Sequence, residues 1–164
     1  MFDKEMEEIL QAIRDSISSI SHPRFYETER GYQGEFGAEL RCRLKKLVLD
    51  DYFVEHEHQK NLKEHGIKIR PDLVIHIPFE ESVLDSRSEG NCVVIELKLR
   101  ANQKRAIEDF ANLSDMCEKL DYQMGVFINI GSNESHLSEF EGPHKERMRA
   151  FAVQLEEGEV VIYK

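Results

Sequence analysis

Apolar residues fall at two different spacings along the chain, and the spacing changes where the elements change. Over residues 2–20, Ile9, Leu10, Ile13, Ile17 and Ile20 recur three or four apart and predict an amphipathic helix. Pro23 and Gly31 then interrupt the pattern. A second helix is expected from about Tyr32 to Leu49, with Phe36, Leu40, Leu44, Leu47 and Val48 as its stripe. Gly34 and Gly37 weaken its first turns.

From Tyr52 the period shortens to two. "YFVEHEHQK" predicts a first strand and "GIKIRPDLVIHIP" a second. In the second, Ile67, Ile69, Leu73, Ile75 and Ile77 face one way, and Lys68, Arg70, Asp72, Val74 and His76 the other. After the polar segment 79–90 comes "CVVIELKLR", apolar on both faces at its start and therefore a central strand. "ANQKRAIEDFANLSDMCEKL" predicts a helix burying Ala106, Ile107, Phe110, Ala111, Leu113, Ser114, Cys117 and Leu120. "YQMGVFINIG" predicts a fourth strand, and "RAFAVQLE" with "EVVIYK" a closing hairpin.

Short links favour antiparallel neighbours among the first three strands, and the intervening helix permits a parallel crossover to the fourth. The expected fold is α/β: a mixed sheet with helices on both faces. One domain is expected over 1–164, with an N-terminal helical extension (1–30), a core (32–131) and a C-terminal connection and hairpin (132–164).

Composition narrows the function. The 164-residue chain is 40% hydrophobic and 33% charged, as suits a soluble globular protein. Its acidic amphipathic N-terminus is neither a signal nor a basic transit peptide, so the expected location is cytoplasmic. A net charge of −10 argues against coating nucleic acid by bulk electrostatics but leaves room for a local basic groove. Cys42, Cys92 and Cys117 are expected to be buried thiols, because no CxxC spacing supports a structural zinc site. His56 and His58 share one strand face, but no third zinc ligand is evident, and they read as an exposed strand. No P-loop, GxSxG or GxGxxG is present.

The chemistry concentrates on the third strand. Alternation puts Val93, Ile95, Leu97 and Leu99 on one face and Cys92, Val94, Glu96, Lys98 and Arg100 on the other. Paired antiparallel with the second strand so that Val74 meets Val94, the register sets His76 against Cys92 and Asp72 against Glu96. Two carboxylates roughly 5 Å apart at Cβ repel unless a cation lies between them. Hard oxygen ligands in small number suit magnesium. Lys98, one strand period on, can orient a water and offset charge developing on phosphorus. These residue types in this pattern fit hydrolysis of a phosphodiester.

Pro71–Asp72, a 23-residue spacer and Glu96-Leu97-Lys98 resemble the signature of the PD-(D/E)XK nuclease superfamily. The element order resembles its restriction-endonuclease-like αβββαβ core over about residues 32–131. The resemblance implies a magnesium-dependent nuclease, with manganese able to substitute. Asp72 and Glu96 would be metal ligands, the Leu97 carbonyl a third, and Lys98 the water-positioning residue. It also implies a glutamate from the first core helix, for which Glu39 stands slightly ahead of Glu35. Gln103 lies near the family's helix glutamine, but the tyrosine that completes one subgroup's motif is missing. Lys68, Arg70, Arg100, Gln103, Lys104 and Arg105 are the candidate nucleic-acid contacts. DNA is expected ahead of RNA, and pairing into a homodimer stays open. The competing expectation is a nuclease fold kept as a catalytically silent binding or oligomerisation module.

Overall fold

The computed structural model describes residues 3–47, 49, 51–56, 70–78 and 90–164. Helix α1 (Lys4–Ser19) starts where Asp3 accepts a hydrogen bond from the Met6 amide at 2.9 Å. It buries the expected stripe of Ile9, Leu10, Ile13 and Ile17. Helix α2 (Glu29–Lys46) begins three residues before the expected Tyr32. The cause is Thr28, whose hydroxyl caps the Gly31 amide at 3.0 Å. Leu47, expected in its stripe, is 39% exposed, and Val48 lies outside the described residues.

Strands β1 (Phe53–His56), β2 (Leu73–His76), β3 (Asn91–Leu99), β4 (Met124–Ile130), β5 (Met148–Glu156) and β6 (Glu159–Tyr163) form one six-stranded sheet in sequence order. β1, β2 and β3 are antiparallel neighbours, β3, β4 and β5 run parallel, and β5–β6 is the terminal hairpin. Helix α3 (Gln103–Lys119) connects β3 to β4. The sheet is mixed and covered on both faces, so the expected α/β class is observed.

Two apolar layers hold the helices. α1 and α2 pack on Leu73, Ile75, Val93, Ile95, Leu97, Val126 and Ile128. On the opposite face α3 packs on Val74, Val94, Phe127 and Ala150 through Ala106, Phe110 and Leu113. Gly125 sets the closeness of α3, because a Cβ there would lie 3.2 Å from Leu113 Cβ and 2.8 Å from Met148 Sδ.

The second and third strands pair in the expected register from Leu73–Ile95 to Ile75–Val93, but not at His76. A bulge at Ile75/His76 makes Cys92 the extra residue, so His76 faces Asn91 rather than Cys92. The bulge also ends strict alternation: Cys92 joins the α1/α2 layer instead of the Val94 face. Cys92 and Cys117 are buried, but Cys42, on the outer side of α2, is exposed. On α3, Ala111 is exposed and the acid Asp109 takes a buried place on the apolar face. No helix among the described residues is long and apolar enough to cross a membrane.

Candidate functional site

β3 outlasts β2. Pairing with β2 ends at Leu73–Ile95, whereas pairing with β4 continues to Leu99–Ile130. Among the described residues, 96–99 therefore have a strand on one edge only. An extended residue aims its N–H and C=O to the same side, and alternate residues share that side. The amides of Leu97 and Leu99 both open toward the edge that β2 leaves uncovered, and both are met by carboxylates. Asp72 Oδ2 accepts from the Leu97 amide at 2.8 Å, and Glu29 Oε2 accepts from the Leu99 amide at 3.2 Å. The Leu97 carbonyl opens to the same side.

Each acid is delivered by a different element. Asp72 lies just before β2 and is steadied from α2, where Gln33 Nε2 donates to the Asp72 carbonyl at 3.0 Å. Glu29 occupies the first turn of α2, one helical turn before Gln33 on the same face. Glu96 rises from β3 on the α3 side and is only 4% exposed. Burial, then the adjacent Asp72 carboxylate and the hydrogen bond the two acids share, push the Glu96 carboxyl well above the usual carboxylate range. Two facing acids that share a proton are the expected response to like charge in a dry place.

Lys98 follows Glu96 on the same face, half-buried. Burial draws its ammonium down, but Asp109, Glu96, Glu29 and Asp72 together outweigh burial, and the net shift is upward. Asp109 Oδ1 lies 4.0 Å from Lys98 Nζ. Burial raises Asp109 to about 6, against the opposing pull of Lys98.

The candidate residues fall into two groups. Asp72, Glu96, Leu97 and Lys98 come together at the uncovered edge of β3. Arg100, in left-handed backbone at φ 51°, closes the strand, and Gln103, Lys104 and Arg105 fill the exposed first turn of α3 next to it. Arg70 is exposed on the approach to β2, and Lys68 lies outside the described residues. Glu39 turns elsewhere, with Oε2 3.5 Å from Arg43 Nη2 on the helix surface. At about 100° per residue, Glu35 and Glu39 sit roughly 80–120° around α2 from Glu29, away from the strand edge. Arg43 and Lys46 line a hollow against α1 with Glu8 and Asp15. His56 packs at Gly37 and near Gln33 Nε2, which lies 3.4 Å from its Nδ1, while His58 falls outside the described residues.

Two acids of this neighbourhood escape a pattern reading. Glu29 is missed when the helix is started at Tyr32; the Thr28 cap followed by an acidic first turn is the signal that reveals it. Asp109 is an acid at the spacing of an apolar stripe, three after Ala106 and four before Leu113. Behind the site, fully buried Asn129 clamps the strand exit. Its Oδ1 accepts from the Ala101 amide at 2.8 Å, and its Nδ2 donates to the carbonyls of Ala101 at 3.0 Å and Glu134 at 2.8 Å.

Among the described residues, no group of three or more His, Cys, Asp or Glu side chains is gathered as a metal cage. No family model and no curated protein matches the chain. Among solved structures, it is similar to Pyrococcus furiosus SfsA in complex with Ca2+, with a TM-score of 0.40 and 16% identity over 80% of this chain. The chain spans 61% of the length of that protein.

Proposed function

We propose that this chain is a divalent-metal-dependent nuclease hydrolysing phosphodiester bonds, in DNA ahead of RNA. The observation that carries the reading is the buried Glu96 beside half-buried Asp72 at the edge of β3, with Lys98 one strand period beyond. A buried acid facing a second acid is costly without a purpose. Its oxygen donors, with the Leu97 carbonyl opening to the same edge, make a small hard set that fits magnesium or manganese retaining several waters. When bound there, the ion would neutralise phosphate charge and make water a stronger nucleophile.

The remaining work falls to the chain. Glu96 would give up its proton and act with Asp72 as one anionic edge. The Leu97 amide fixes the Asp72 carboxylate in place, so that edge is preorganised. Lys98 would hold the attacking water and, as charge builds on the phosphoryl oxygens, offset it with an ammonium that needs no rearrangement. Arg100, Lys104 and Arg105 would track the phosphate backbone from the strand exit and the first turn of α3. This likeness to the PD-(D/E)XK arrangement includes an acid from the first core helix. Glu29 takes the position expected of Glu39 or Glu35.

The second reading is a silent nuclease fold that binds a partner or a second copy of itself. Incubation with plasmid, linear and single-stranded substrates in manganese, beside Lys98→Ala, separates the two. Cleavage by the wild type alone supports the enzyme. No cleavage of any substrate supports the module.

A further inference from the structure

Asp109 is the only charged side chain on the buried face of α3, among Ala106, Phe110, Leu113, Ser114, Met116 and Cys117. The residue is 7% exposed. Among the described residues its Oδ2 has no hydrogen-bond partner, and its Oδ1 stands 4.0 Å from Lys98 Nζ, the outer limit of an ion pair. A carboxylate so placed is a poor choice for stability, since an apolar residue would suit the layer as well or better. The structure therefore asks what the acid does for Lys98.

Four acids act on the Lys98 ammonium, and they are not equivalent. Asp72, Glu96 and Glu29 stand at the strand edge, and the first two are the carboxylates that would engage a cation. Once they do, the ion cancels the charge of those two carboxylates, their pull on the ammonium is largely lost, and its flexible stem gives it a route into solvent. Asp109 pulls from α3, apart from the two carboxylates that would hold the ion. Around Asp109 itself the charged groups are Lys98, Asp72, Arg105 and Glu29.

We propose that Asp109 is the positioning residue for Lys98, its buried carboxylate holding the ammonium over the end of β3 when Asp72 and Glu96 are occupied. The proposal rests on the nuclease reading for the task it gives Lys98, but not for the contact itself. The 4.0 Å gap suits the role: attraction persists at that distance without a direct hydrogen bond tying up the ammonium.

The test uses the full chain with Asp109→Asn, and Asp109→Leu should the first fail to fold. In single-turnover cleavage with manganese, the variant loses roughly 10- to 100-fold in kcat with KM unchanged, the range for removing a supporting partner. Its manganese-induced thermal shift matches the wild type, because Asp109 is not a ligand. In protein with dimethylated lysines, the 13C signal of Lys98, assigned by its loss in Lys98→Arg, moves to the position of exposed lysines. An unchanged kcat in a cleaving enzyme, an unmoved Lys98 signal, or a lost manganese shift overturns the proposal. If the wild type cleaves nothing yet the Lys98 signal responds to Asp109→Asn, the nuclease reading falls and the positioning stands.

Discussion

At the scale of the residue, the site is a problem in charge. Glu96 is driven toward its neutral form by burial and by Asp72, so the folded protein binds a proton that the unfolded chain releases at ordinary carboxylate pH. The sign follows from linkage. Between the unfolded and folded pKa the native state holds more protons, so stability falls as pH rises. Asp109 adds in the same direction, over a window from about 3.9 unfolded to about 6 folded. Metal-free protein should thus melt at progressively lower temperature as pH rises from about 4 through about 6 and beyond. Glu96→Gln, which cannot ionise, should flatten much of that decline in a melting series; an unchanged slope would show Glu96 to be an ordinary carboxylate. For Lys98, removal of the ammonium takes away preorganised charge stabilisation. Lys98→Ala should lower cleavage by about 10²–10³-fold, with a circular-dichroism spectrum like that of the wild type. Retained turnover would count against its assigned task.

At the scale of the element, the site exists because strands of unequal length lie side by side. β2 stops at Leu73, β3 continues to Leu99, and acids take over the amides that a strand would have paired. The far side of the same strand exit is secured by Asn129, which satisfies both backbone groups of Ala101 and the Glu134 carbonyl. Asn129→Ala would leave buried polar groups unpaired and should cost roughly 2–4 kcal/mol, read as a lower urea midpoint. Cleavage should fall with it, since Lys98 sits on the strand that this clamp holds. The bulge at Cys92 is a further decision made by an element: it turns one thiol into the α1/α2 layer and sets Asn91 against His76. Burial keeps the Cys92 thiol from ionising, pushing it up to about 12.

At the scale of the whole molecule, the net charge of −10 and a basic strand exit pull in opposite directions. Association with DNA should be modest and fall steeply with salt, measurable as the slope of log affinity against log salt concentration. Divalent ions act through linkage: at a hundredfold excess over Kd they should stabilise the fold by about 2.7 kcal/mol. The thermal shift in manganese or calcium should vanish in Asp72→Asn and Glu96→Gln. Equal shifts in all three proteins would place the ion elsewhere.

The elements and their faces were legible in the chain, because burial on a helix or strand imposes a period that any folded solution must respect. Ile9, Ile13 and Ile17 announce α1, and the Val74–Val94 match fixes how β2 lies on β3. Extended one step past Leu73–Ile95, where the ladder ends, the same register sets Asp72 beside Glu96. What lies across space left no period to read. Glu29 reaches Leu99 from 70 residues away, and only the Thr28 cap brings it to the first turn of α2. Asp109 hides in an apolar stripe, where its meaning depends on Lys98 standing opposite, and Glu39, which the chain alone set slightly ahead of Glu35, lies beside Arg43 on the helix surface. The sequence by itself determined the layers and the register, which are local and periodic. Tertiary structure decided which acids surround Lys98, because that depends on where separate elements stop and how each is rotated about its own axis.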